Sequence, residues 1–364
     1  MEERLTVQGR KQRFSPLPWL RRTSETEEAE RELLRELILS SPWGIAHETL
    51  IHYYISAKSW PVTLLVGAQA VDCRRCFDFL ARAIAGCCEG QVCVLSARPS
   101  GDGRIRSLPP DGIRERYYRM GLLDLWAEAN TPGNEGRAYL VCLDDVTTPE
   151  LLAYLHAWGL LRTEDYGPPW PPNLLLSAIV PSVELPQDIA PGLLARLGVV
   201  EIPVSPGPAE DTRSPRCPPV GWQRAMLRTM VREPAAAAQR LDSLRLLPAL
   251  RRLLSSTRPL YSLAEGDILE AGIVVYAANS FAVDGQGLLD LSPEGNLREA
   301  IDLQLAQRVL PYLKMRCPGA LDWAEWAERL AGLFPRARTR AYRFHLEALR
   351  AERSEAYGPP SALT

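Results

Sequence analysis

The chain has 364 residues, of which 46% are hydrophobic and 24% charged, a profile that excludes a disordered, collagen-like or fibrous protein and suits one large domain or two modest ones. Lys+Arg 42 against Asp+Glu 44 leaves a net charge of -2, so no overall basic field advertises nucleic acid or an anionic membrane. Only Lys11, Lys58 and Lys314 are lysines; the other basic residues are arginine.

No stretch approaches the roughly 18 uninterrupted apolar residues of a membrane span, and the start, with Arg4, Arg10, Lys11 and Arg13, lacks the apolar core of a signal peptide. A cytoplasmic protein is expected. Cys73, Cys76, Cys87, Cys88 and Cys93 are bunched, with Cys142, Cys217 and Cys317 scattered, and reduced thiols rather than a secreted disulfide framework are the expectation.

In chain order, Ser24-Glu25-Thr26-Glu27 reads as a capping box opening a helix whose apolar positions are Leu33, Leu34, Leu37 and Ile38. Val62–Val66 is a short β-branched and apolar run ending at Gly67, followed by a helical stretch around Phe77 to Ile84. Further buried-strand candidates are Val92–Leu95, Tyr139–Leu143, Leu174–Val180 and Val199–Ile202. Such runs, alternating with helical segments, predict an α/β fold with a parallel sheet. Pro203, Pro206, Pro208, Pro215, Pro218 and Pro219 then interrupt the chain, and beyond Gly221 apolar positions recur at helical spacing in Leu241–Leu254, Ile268–Phe281, Ile301–Leu313, Trp323–Leu333 and Tyr342–Leu349. The expected organisation is an N-terminal helical arm at 1–44, an α/β core at 45–205, a Pro-rich linker at 206–220, a helical domain at 221–355 and a tail at 356–364.

A strand that ends in glycine and runs into a helix is where backbone N–H groups and the helix dipole attract phosphate. Here the residues after Gly67 depart from a working loop, which needs glycine where Asp72 stands, lysine at Cys73 and Ser or Thr at Arg74 to hold magnesium. Downstream, the strand Tyr139–Leu143 delivers two carboxylates, Asp144 and Asp145, to its carboxyl end, where ligands meet an open α/β sheet. In a nucleoside triphosphatase the first would hold the metal-bound water and the second would orient the attacking water.

The order and spacing of these segments, together with Asn173-Leu174-Leu175, Ile179-Val180-Pro181-Ser182-Val183-Glu184, Ala190-Pro191-Gly192-Leu193-Leu194-Ala195-Arg196 and Val200-Glu201-Ile202, resemble the AAA+ ATPases of the McrB-like group, related to the MoxR and dynein-type branch. Arg98-Pro99 with Asp102, Ala300–Gln304 with Gln307–Pro311, and Phe334-Pro335-Arg336 are also similar, so the resemblance spans roughly residues 45 to 350. It implies a three-layer P-loop NTPase core with a parallel sheet, followed by an all-α lid domain. The positions that match the group's site are Gly67, Asp144, Glu184 and Arg196, the last similar to an arginine that reaches a neighbouring subunit's nucleotide. The departures are Asp72, Cys73 and Arg74 in the loop, Asp145 for the glutamate, Ile179 and Pro181 in the sensor segment, and Val274 where the lid's arginine would stand. A lost lysine–phosphate bond is worth about 1.5–3 kcal/mol, and a carboxylate roughly 4 Å from phosphate costs about 4 kcal/mol at an effective dielectric near 20.

Two functions follow from the resemblance. One is a pseudo-ATPase without nucleotide cofactor, a scaffold or regulatory subunit packing beside active AAA+ subunits, its own or a paralogue's, or beside a McrC-like nuclease, with nucleic acid handled only indirectly. The other is a divergent ATPase of a restriction-like defence system, using ATP and Mg, with Asp144 on the metal, Asp145 as base and Arg74 or Arg75 replacing the lysine. Arginines 336, 338, 340, 343 and 350 raise a third possibility, nucleic-acid binding, which Glu347, Glu352 and Glu355 dilute. A zinc site joining Cys73 and Cys76 to Cys87 and Cys88 is excluded if they share a helix, because a rise of about 1.5 Å per residue sets the pairs about 16 Å apart. His47, His52, His156 and His345 have no ligand-like spacing, and Trp323 and Trp326 read as core.

Overall fold

A computed structural model describes residues 24–39, 45–85, 91–96, 122–144, 170–182, 194, 196–204, 220–261, 266–316 and 322–357. Five strands, β1 (Val62–Gly67), β2 (Val92–Ser96), β3 (Tyr139–Asp144), β4 (Leu174–Pro181) and β5 (Gly198–Ile202), form one parallel sheet in the order β2-β3-β4-β1-β5. They fall on the five predicted runs. Every residue of β1 and β3 is buried, which is why these strands read as continuous apolar runs instead of alternating ones.

The strand order fixes where a ligand could meet the sheet. After β1 the chain crosses to the far edge at β2, returns stepwise through β3 and β4, and passes over β1 to reach β5 at the opposite edge. The chain leaves β1 toward one edge and β4 toward the other, so these two neighbours flank the point where the strand order reverses, and it is at the carboxyl ends of such a pair that ligands meet an open α/β sheet. Gly67 faces Pro181 of β4 and Ile202 of β5 in register across that end.

Before and between the strands lie α1 (Ser24–Leu39), α2 (His47–Ser59), α3 (Ala70–Ala85) and α4 (Leu122–Ala129). After β5 come α5 (Val220–Thr229), α6 (Pro234–Ser243), α7 (Leu247–Tyr261), α8 (Gly266–Asn279), α9 (Pro293–Gln304), α10 (Leu310–Arg316), α11 (Trp323–Arg329) and α12 (Pro335–Tyr357). The predicted run Leu241–Leu254 divides between α6 and α7 at a turn in which Arg245 takes a φ of 60° and Pro248 enters the first turn of α7. The run Ile301–Leu313 is also interrupted: a π-helical turn at Leu305–Val309 separates α9 from α10. Pro311 has no N–H for the ordinary helical bond to residue 307, and the N–H of Leu310 instead reaches back to the carbonyl of Leu305.

Buried polar side chains tie the helices together. α2 is buried all round from Leu50 to Ser59. Glu30 of α1, 1% exposed, accepts from Lys58 Nζ at 3.0 Å, Tyr54 Oη at 3.2 Å and Thr229 Oγ1 at 2.9 Å through one oxygen, and from the Val283 N–H at 2.8 Å through the other. One carboxylate therefore joins α1, α2, α5 and the turn after α8. His52 of α2 lies 2.5 Å from both Tyr276 Oη and Gln307 Oε1. Because that amide oxygen only accepts, Nε2 carries the proton and Nδ1 receives the tyrosine's. Burial pushes the imidazole down to about 4, so it stays neutral. Among the described residues, no helix is long and apolar enough to cross a membrane.

Candidate functional site

The candidate site is the β1–α3 turn and the end of β3 beside it. Gly67 closes β1 against close neighbours: a Cβ built there would lie 2.9 Å from Cys73 Sγ and 3.0 Å from the Ile202 carbonyl oxygen. The reason is local. Cys73 lies one turn into α3 and turns inward, fully buried against Gly67, where a phosphate-binding lysine would project into the loop. Burial, reinforced by the charge of Asp72, pushes its thiol up to about 12, so it offers no thiolate.

Arg74 points the other way, toward the sheet's carboxyl edge. Its Nε bonds Asp78 Oδ1 at 3.0 Å, one helical turn on, and its Nη1 bonds Asp144 Oδ2 at 3.0 Å at the end of β3. Burial works against its charge, but the carboxylates, Asp78 foremost, outweigh it and hold the guanidinium above its ordinary range. Arg75 bonds the buried carboxylate of Asp72 at 3.2 Å in the first turn of α3, where the helix dipole also favours a negative charge. The structure thus brings Gly67, Asp72, Cys73, Arg74 and Asp144 together, and each charged group among them is bonded to another residue of the chain.

Arg196 does not join them. It is half-buried on the turn entering β5, ahead of the Gly198–Thr63 pairing, at the amino end of the sheet opposite Gly67. Asp145, Glu184 and the Arg98–Asp102 segment lie outside the described residues. Asn173 serves the fold: its Nδ2 lies 2.9–3.2 Å from the carbonyls of Ala129, Asn134 and Arg137, pinning the turn that leads into β3. Val274 is half-buried on α8, and beside it Gly272 leaves room for Arg308, whose Nη1 would come 2.8 Å from a Cβ at that position. Arg308 itself is fully buried over the Trp60 ring, its guanidinium carbon 4.4 Å from the centroid.

Sequence reasoning missed Asp78 and the Asp72–Arg75 pair. Both were readable in principle, since Arg74 with Asp78 and Asp72 with Arg75 stand at the i,i+4 and i,i+3 spacings that bring helix side chains together. Cys73, Cys76, Cys93 and Cys142 are buried free thiols, with burial raising all four, while Cys87, Cys88, Cys217 and Cys317 lie outside the described residues. No group of three or more His, Cys, Asp or Glu able to hold a metal ion is found among the described residues. Three arginines of α12 are engaged with acids: Arg336 with Glu299 at 2.6 Å, Arg338 with Glu328 at 3.9 Å, and Arg340 with Glu201. Trp323 packs edge-on against Phe344, and Trp326 lies under the guanidinium of Arg329.

Fold and site together define an α/β protein with a five-stranded parallel sheet and a strand–turn–helix unit at its topological switch point. No family model, curated protein or solved structure matches the chain.

Proposed function

We propose that this chain is a non-hydrolysing member of the AAA+ class, of the McrB-like group, serving as a scaffold or regulatory subunit beside active AAA+ subunits or a McrC-like nuclease. The position of the β1–α3 turn at the switch point, and of Asp144 at the end of the buried strand β3 two places along the sheet, supports the nucleotide-fold part of this reading. One observation carries the non-hydrolysing part: Cys73 is buried against Gly67, and the Arg74 guanidinium is held between Asp144 and Asp78. ATP and Mg do not fit these residues. The lysine's place holds a buried thiol, and the cation's place beside Asp144 holds an arginine.

The same geometry weighs against a divergent active ATPase. For Arg74 or Arg75 to replace the lysine, each would have to leave a carboxylate it now bonds, and departure of Arg74 would strip Asp144 of the guanidinium that neutralises it. Arg196, at the amino end of the sheet, lies away from its own chain's β1–α3 turn, which supports a reading in which it serves another subunit rather than its own.

Calorimetric titration of the purified chain with ATP and Mg2+, paired with a phosphate-release assay alone and with any co-encoded partner, tests the proposal. Neither micromolar binding nor turnover is expected. Micromolar binding with turnover abolished by Asp144→Ala would overturn it.

A further inference from the structure

Asp144 ends a fully buried strand, and a carboxylate in that position needs a counter-charge. The chain supplies it from α3. The Arg74 side chain, 17% exposed, reaches Asp144 with Nη1 and Asp78 with Nε, both at 3.0 Å, so the planar fork fills the space between the two carboxylates. Hard divalent cations are bound by oxygen donors of this kind. A guanidinium brings a single, permanent positive charge to the same place and cannot dissociate.

We infer that Arg74 is a resident cation standing in for a divalent metal ion between Asp144 and Asp78, so that the carboxyl end of β3 and the first turns of α3 are held in one arrangement whether or not metal is present. The Asp72–Arg75 pair does the corresponding service one turn earlier: Asp72 sets a carboxylate at the amino end of α3, where an anionic ligand would be attracted, and Arg75 neutralises it. The inference rests on reading this turn as a phosphate-binding turn that has lost its ligand. It adds that the vacated charges were replaced, not merely deleted. The subunit is consequently locked in one state, and metal or nucleotide concentration does not regulate it.

Thermal unfolding of the full chain as wild type, Arg74→Ser and Arg74→Lys, titrated with MgCl2 against NaCl of equal ionic strength, tests this. Removing the guanidinium leaves two carboxylates facing each other across a small hydroxyl side chain. Arg74→Ser should therefore unfold at lower temperature than wild type and regain stability with Mg2+ in a saturable way, half-maximally near about 1 mM, as expected for a simple carboxylate site. Wild type and Arg74→Lys, which keep a resident cation, should respond to MgCl2 no more than to NaCl. A folded Arg74→Ser protein with no magnesium-specific rise overturns the inference, and so does an equal rise in wild type. Should Arg74→Ser fail to fold, Mn2+ titration of wild type followed by electron paramagnetic resonance decides: no bound Mn2+ supports the inference, and Mn2+ binding that Asp144→Asn abolishes refutes it. Failure here is separable from failure of the proposed function. Wild type blind to ATP with an Arg74→Ser protein indifferent to Mg2+ sinks only the resident cation, whereas a magnesium-responsive Arg74→Ser protein alongside a wild type that binds and hydrolyses ATP sinks the non-hydrolysing reading.

Discussion

Glu30→Gln tests how the N-terminal helix is joined to the rest of the fold. The carboxylate receives four donors, Lys58, Tyr54 and Thr229 on one oxygen and the Val283 N–H on the other, and Lys58 is fully buried. Glutamine keeps one acceptor oxygen and turns an amide N–H toward donors at the other position, so at least one buried donor loses its partner, at about 1–3 kcal/mol, and Lys58 loses its counter-charge. Breaking a buried pair from one side costs about 3–5 kcal/mol in all, which for a chain of 364 residues lowers the unfolding midpoint by roughly 4–7 °C. Urea unfolding followed by tryptophan fluorescence reads the loss directly. Its pH dependence has a definite sign. Burial already pulls Lys58 down to about 8 despite the raising effect of Glu30, and removing Glu30 pulls it lower still. As pH falls below about 8, wild type stays protonated in both states, while the variant must take up a proton on unfolding, so its deficit widens by up to about 1.4 kcal/mol per pH unit until its own folded value is reached. Glu30→Leu with Lys58→Met removes both charges and should recover only the part due to the uncompensated charge, because the Tyr54 hydroxyl and the Val283 N–H lose their acceptor at about 1–3 kcal/mol each, while Thr229 keeps the Met226 carbonyl. A Glu30→Gln protein within about 0.5 kcal/mol of wild type, with no widening at lower pH, would refute the reasoning.

Gly67→Ala should destabilise the chain by about 1–3 kcal/mol in the same urea assay, since its Cβ would sit 2.9 Å from Cys73 Sγ and 3.0 Å from a backbone oxygen; Cys73→Ala in the same background should relieve the first clash and not the second. His52 is held at about 4 in the folded state against 6.5 unfolded, so stability is complete above pH 6.5 and falls by up to about 3 kcal/mol as pH drops toward 4; His52→Gln should flatten that part of the profile. Asp302 accepts the N–H groups of Arg336 and Ala337 at 3.0 and 2.8 Å at the start of α12, one on each oxygen, so Asp302→Ala should cost about 0.5–2 kcal/mol and Asp302→Asn, which keeps a single acceptor, should recover only part of it.

The five strands could be read from the chain because parallel strands buried on both faces leave unbroken apolar runs, and Tyr139–Leu143 or Leu174–Val180 admit little else. The α1 stripe was equally plain at Leu33, Leu34 and Leu37. Glu30 falls in that same stripe, yet local pattern alone does not say that a charge there is buried, since its partners come from positions 54, 58, 229 and 283. The helix breaks at Arg245 and at Leu305–Val309 were hidden for a related reason: apolar periodicity runs on through a turn or a π segment when both sides face one core.

At the candidate site, residue identities alone told which phosphate-gripping groups were missing: a thiol at 73 and an arginine at 74 cannot do the work of lysine and a hydroxyl. What those residues do instead was decided only when the sheet set the end of β3 beside α3, because an arginine seventy positions before its aspartate has no local signal to announce the pair. Spacing along a chain governs neighbours within one helix or strand, while the meeting of two charges across a crossover connection depends on strand order and register, which exist only in the folded molecule.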